Sequence, residues 1–255
     1  MDMNMIMFIF YVSHLLMIIT SADPIENHNV SLICSSTKGN SNYTKSVKYL
    51  LDDLNANAPI QKGYWDAYWF VGAPADWPYG LALCYGNVTT EYSKQTCKTC
   101  LSNAAMNVMT TNKCSNSRAA IIWLDQCLLK YADKPFLGQI DTDQKFYSFD
   151  HNYMSLAWSD TVANTTLVLL DELVVNATTN QTGKDVKLFA YNTVHDENKY
   201  TVVGMVQCTG DLSIGNCGAC LNATITDLRR SDKLKSGGKL ISGSCLVVYH
   251  ILNRS

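Results

Sequence analysis

The chain has 255 residues, of which 47% are hydrophobic and 16% charged, a globular composition too low in charge for a largely disordered chain. That length exceeds a single small disulfide knot and suits one large domain or two of ordinary size. Twenty basic against 22 acidic residues leave a formal charge of −2, which removes the electrostatic case for nucleic acid.

In chain order, the first element is a leader. Met5 to Ile19 is an apolar run broken only by Ser13 and His14, and Thr20-Ser21-Ala22 puts small residues ahead of a cut after Ala22. Residues 1–22 therefore read as a secretory signal peptide. An uncleaved anchor is the competing reading, but the run is shorter than the ~20 apolar residues of a membrane span. Asp171 and Glu172 interrupt the most apolar later stretch, and the chain end shows no hydrophobic tail of the lipid-anchor kind. The mature product is expected outside the cell, without a membrane span.

Val47, Leu50, Leu51 and Leu54 then recur at helical spacing. Gly63 to Val71 and Pro78 to Cys84 read as paired strands across the turn-rich Gly72 to Asp76. A second helix carries Cys97 and Cys100, and Ala119 to Tyr131 supplies the final strands. After a polar linker at 138–144 the order repeats. Leu167, Leu170 and Val174 mark a helix, Lys187 to Thr193 and Tyr200 to Cys208 mark strands, Cys217 and Cys220 sit on a helix, and Lys239 to Leu252 closes the sheet. The fold class is α+β: two tandem domains, 23–137 and 145–255, each with helices on an antiparallel sheet.

The ten cysteines are Cys34, Cys84, Cys97, Cys100, Cys114, Cys127, Cys208, Cys217, Cys220 and Cys245. Cys97-Lys-Thr-Cys100-Leu101 matches Cys217-Gly-Ala-Cys220-Leu221 at an offset of 120, and Cys127 to Tyr131 matches Cys245 to Tyr249 at 118. Tyr79-Gly-Leu-Ala-Leu-Cys84 matches Val203-Gly-Met-Val-Gln-Cys208 at 124, because the first copy holds a four-residue insertion near Asn87. Six and four cysteines in an exported chain imply disulfides. The two helix cysteines of each copy lie one turn apart, so each is expected to reach a different strand. Copy two lacks the first and fifth cysteines, whose counterparts fall near Tyr153 or Met154 and near Asp232; their joint loss makes Cys34–Cys114 the expected pair. The remaining bridges would be Cys84–Cys97 with Cys100–Cys127, and Cys208–Cys217 with Cys220–Cys245. A zinc ribbon needs about 15–20 residues between its CxxC pairs, whereas 116 intervene here. The βαβ setting of a thioredoxin-like site is missing from the pattern.

Asn29, Asn42, Asn87, Asn164, Asn176, Asn180, Asn222 and Asn253 each begin an Asn-X-Ser/Thr sequon, eight of the chain's 21 asparagines. This excess fits a glycosylated, exported surface.

Val203-Gly-Met-Val-Gln-Cys208, Cys217-x-x-Cys220-Leu221 and Gly237-Gly238-Lys239 through Ser244-Cys245 closely resemble the plant cysteine-rich repeat secretory proteins. Their unit is the ginkbilobin-homologous, or stress-antifungal, domain with a C-x8-C-x2-C signature, and the likeness covers nearly all of the mature chain. It implies two helices on a five-stranded antiparallel sheet per copy, the same bridge connectivity, and a place in the apoplast in stress or defence. The same tandem forms ectodomains of cysteine-rich receptor-like kinases and plasmodesmata-located proteins. Some members bind mannose through an Asn after the first cysteine, an Arg six residues before the last and a Glu five after it. Copy one has Ser35, Ile121 and Ala132 there, and copy two has Lys239 and His250 at the latter two places, so the mannose site does not carry over.

Seven aromatics crowd residues 64 to 79. On an alternating strand Trp65 and Trp69 share one face, while Tyr64, Tyr68 and Phe70 share the other. One face must cover the helices; core and interface packing is the leading account, ligand binding the rival. Trp65, Trp69, Lys239 and His250 are the candidate ligand contacts. The histidines are scattered and form no HExxH motif. The paired acids Asp52-Asp53 and Asp171-Glu172 read as solvated helix faces, and the basic run around Arg229, Arg230, Lys233 and Lys235 as solvated surface. No catalytic, metal or cofactor site is expected. The expected role is non-enzymatic recognition of an extracellular protein or glycan, with a carbohydrate-binding antifungal lectin as the alternative.

Overall fold

The structure is a computed structural model that describes residues 31–70, 72–149, 160–179, 188–195, 200–230 and 236–253. The leader, Asn29, Asn180, His28, His151, Lys233 and Lys235 lie outside the described residues.

The first copy runs β1 (Ser31–Cys34), α1 (Ser41–Asn57), β2 (Tyr64–Tyr68), a 3-10 turn at Pro74–Asp76, β3 (Tyr79–Cys84), α2 (Glu91–Thr110), β4 (Ala119–Trp123) and β5 (Cys127–Ala132). The second runs β6 (Lys145–Phe149), α3 (Asp160–Thr179), β7 (Phe189–His195), β8 (Tyr200–Cys208), α4 (Ile214–Arg230), β9 (Gly237–Ser242) and β10 (Cys245–Asn253). Each copy builds a five-stranded antiparallel sheet, ordered β1-β4-β5-β3-β2 and β6-β9-β10-β8-β7, so the repeat in sequence is a repeat in topology. The stretch Ala119 to Tyr131 holds the hairpin β4–β5, and the first aromatic strand ends at Tyr68, short of Val71.

The helices start where local chemistry dictates. Asn40 caps α1 by accepting from the Tyr43 amide at 2.8 Å. Thr90 and Ser93 form a reciprocal capping box at α2. Val47, Leu50, Leu51 and Leu54 line the buried face of α1. The glycine shared by the two copies explains how close each helix comes to its sheet. A Cβ on Gly80 would sit 2.8 Å from the Leu50 side chain, and one on Gly204 would sit 2.9 Å from Leu173.

Five disulfides fasten this arrangement: Cys34–Cys114, Cys84–Cys97, Cys100–Cys127, Cys208–Cys217 and Cys220–Cys245. Cys84 lies opposite Cys127, and Cys208 opposite Cys245, on neighbouring strands. Helix cysteines one turn apart therefore reach two adjacent strands, staking α2 and α4 to their sheets at two points each.

Each copy has a core between sheet and helices. A third core lies between the copies. Leu81, Leu83, Ile121, Trp123 and Leu128 of the first sheet pack with Ile241 and Leu246 of the second. These residues project from the sheet faces turned away from the helices, so the two sheets cover each other. Trp123, fully buried, donates its indole N–H to the Ser242 carbonyl at 3.1 Å. Gln207 stands where the first copy has Leu83. Its side chain accepts from the Gly86 amide at 2.9 Å and donates to the Cys84 carbonyl at 3.4 Å. Residues 138–144 are pinned rather than free. The Gly138 amide donates to Asp211 at 2.7 Å, the Asp141 amide donates to Ser244, and Lys130 pairs with Asp141.

Candidate functional site

The sheet–sheet core decides which surfaces remain for a ligand. Lys239 is drawn into it: its ammonium donates to the carbonyls of Leu124 at 3.4 Å and Asp125 at 2.5 Å and lies 4.6 Å from the Tyr85 ring centroid. Burial lowers its pKa to about 8, against an opposing pull from Asp125. Half-buried Lys239 is thus an interdomain contact. Its counterpart Ile121 is 5% exposed in the same core. Half-buried His250 pairs with Val203 and Gly237 within its sheet. Of the positions matching the Arg of the mannose-binding members, Ile121 is buried in the sheet–sheet core and Lys239 reaches the β4–β5 turn of the other copy.

The aromatic strand splits as alternation requires. Trp65 and Trp69 pack against the helix-side core of the first copy. The Trp65 indole donates to Asp53 at 2.9 Å, which corrects the reading of Asp53 as a solvated acid. Trp69 sits 5.7 Å from Tyr49, ring to ring. Both tryptophans are therefore committed to packing. Tyr64 turns to the interdomain core, where burial, with Asp211 and Asp66 adding to it, pushes its phenol far above the ordinary range.

What stays exposed is the end of this strand. Tyr68 is 52% and Phe70 55% exposed. Tyr68 and Phe70 lie 4.4 Å apart, Phe70 and Trp77 4.4 Å, and Tyr68 and Tyr79 6.1 Å. The Pro74–Asp76 turn, seated against α1, folds Trp77 back onto Phe70. Around this turn Trp69 Nε1, Asp76 Oδ1 and Trp77 Nε1 are buried and have no hydrogen-bond partner among the described residues. Orphaned polar atoms of this kind are uncommon and call for an explanation. The sequence names Trp65 and Trp69, not these rings, as the candidate contacts. Alternation also grouped Tyr68 with Phe70, but which face meets the helices depends on pairing with β3.

A second concavity, about 490 Å3, lies between α2 and the β4–β5 turn. Tyr92, Gln95, Asn103, Leu124, Asp125 and Gln126 give it a mixed lining with one acid. Elsewhere the ionisable groups serve packing. Arg229 pairs with Asp171 across α4 and α3. A hydrogen bond from Lys145 holds Asp227 below the ordinary carboxylate range. All ten cysteines are bonded, and no group of three potential metal ligands occurs among the described residues. The arrangement is suited to contact, with tilted and edge-on rings and hydrogen-bonding amides.

The protein family described as "Salt stress response/antifungal" matches residues 33–134 and again 147–251. "Cysteine-rich repeat secretory protein 38" of Arabidopsis thaliana is 34% identical over 224 residues, covering 88% of this chain and 83% of that protein. "Antimicrobial ginkbilobin-2-like protein" of Castanea crenata is 32% identical, covering 91% and 89%. Among solved structures, the tandem DUF26 ectodomain of Arabidopsis thaliana PDLP5 superposes with a TM-score of 0.64 at 24% identity, covering 87% of this chain and 98% of that one. The PDLP8 ectodomain gives 0.66 at 18%, covering 90% and 100%. Both share the fold. With two family matches laid over two identical sheet topologies, the chain belongs to the salt stress response/antifungal family, as a tandem of DUF26 domains of the cysteine-rich repeat secretory type.

Proposed function

We propose that the chain is a secreted, non-enzymatic recognition protein of the extracellular space, with mature domains 23–137 and 145–255 that dock a protein partner on the Tyr68–Phe70–Trp77–Tyr79 cluster. The observation that carries this reading is the cluster itself: four rings linked in a chain of contacts, two of them more than half exposed. Tyrosine and tryptophan are the residue types over-represented at binding hot spots. Export is supported by the leader, by relatives named as secretory proteins, and by sequon asparagines that are exposed at all six described positions.

A second reading, a carbohydrate-binding antifungal protein, draws on the same rings, since aromatic faces also stack on sugars, and on the antimicrobial name of the Castanea crenata relative. One comparison tests both. Wild type, the Tyr68→Ser/Phe70→Ser variant and Trp65→Phe are measured on fractionated extracellular fluid and on a glycan array. Saturable binding to a protein fraction, lost in the double variant and kept in Trp65→Phe, supports the first reading. Saturable sugar binding lost in the same way supports the second. Binding that the double variant retains in full overturns both.

A further inference from the structure

Four of the six described sequons fall into two structural classes. Asn164 lies on α3 and Asn222 on α4, both exposed. In a helix, residue i+2 lies about 200° round the axis from residue i. A helical sequon whose asparagine faces solvent therefore turns its hydroxyl residue toward the core. Thr166 is fully buried and Thr224 is 4% exposed. Both hydroxyls are occupied, Thr166 donating to the Val162 carbonyl at 2.8 Å and Thr224 to the Cys220 carbonyl at 3.1 Å. Asn176 follows the same pattern, with Thr178 half-buried and donating to Val174 at 2.8 Å. Asn87 differs. It lies in the irregular segment between β3 and α2, and both it and Thr89 are exposed.

Glycosylation joins the asparagine Nδ2 to the anomeric carbon of a sugar held on a lipid diphosphate. The bond from that carbon to the diphosphate oxygen breaks, the lipid diphosphate leaves, and the amide proton passes to a base of the transferase. The sequon exists as a signal because the transferase must also contact the hydroxyl two residues on. We propose that Asn87 is an acceptor that stays open in the folded protein, whereas Asn164 and Asn222 accept a glycan only before α3 and α4 form. For Asn222 the window closes with the bridges that stake α4 to its sheet, Cys208–Cys217 and Cys220–Cys245. Once attached, sugars at these exposed positions project outward and leave the native packing intact.

The proposal rests on export of the chain, and its test is independent of export. Unglycosylated full-length chain is refolded until all five disulfides are verified, then incubated with purified oligosaccharyltransferase and a lipid-diphosphate oligosaccharide. The same chain, reduced and alkylated, is treated in parallel, and site occupancy is read by mass spectrometry. The folded-to-unfolded occupancy ratio at Asn164 and Asn222 is expected to fall at least about tenfold below that at Asn87, since access there requires helix opening. Equal ratios at the three sites overturn the proposal. So does an unfolded chain that is refused at Asn164 and Asn222, because sequence and not folding then excludes them. Failure of the chain to reach the medium of expressing cells counts against the export reading alone.

Discussion

Gly204 and Lys239 are positions where one side chain decides a large contact. Gly204→Ala places a methyl against Leu173 and Leu169, both fixed in the second core. The variant is expected to lose about 1–3 kcal/mol, read as a lower denaturation midpoint, as overpacked cores do. Lys239 makes stability depend on pH. Its pKa is about 8 in the fold, against ~10.4 in an unfolded chain. Between those values the unfolded chain holds more protons, so stability rises with pH. The buried phenols of Tyr64 and Tyr85 are raised in the fold and act oppositely, removing stability above about pH 10. Chemical denaturation across this range should show a climb from about pH 8 and a fall beyond about pH 10. Lys239→Met should abolish the climb and keep the fall, and a wild-type curve without the climb contradicts the assignment. The sequence marks Lys239 as unusual only through its family position. Its partners Leu124 and Asp125 lie more than a hundred residues away, in the other copy.

The repeat was legible at the scale of elements because cysteine spacing and helical periodicity are local signals. The matched glycine, the CxxC turn and the strand tyrosine each mark an equivalent structural position: Gly80 and Gly204, Cys97 and Cys217, Tyr131 and Tyr249. The edge strands β1 and β6 left no comparable mark. They are four and five residues long, and pairing with β4 and β9 sets them rather than their own alternation. Cys34–Cys114 ties β1 to the segment after α2, and the second copy builds the same strand order without a counterpart. Replacing both cysteines by serine is therefore expected to cost about 2–4 kcal/mol while leaving the far-ultraviolet dichroism unchanged. Loss of the helical signal in that variant would show that the bridge determines the fold.

The largest illegible feature belongs to the whole molecule. Each sheet carries apolar residues on both faces, which reads in sequence only as a buried strand. What covers the second face depends on how two domains meet. Here the second faces cover each other, with Trp123, Gln207 and Lys239 making polar contacts across them. This packing closes the face around Ile121 and Lys239 and leaves the Tyr68–Phe70 end of β2 exposed. The most direct test is scanning calorimetry of the oxidised chain. Two sheets sharing one core should melt together, in a single transition whose calorimetric and van't Hoff enthalpies agree. Two resolved transitions, each domain unfolding by itself, would contradict the account.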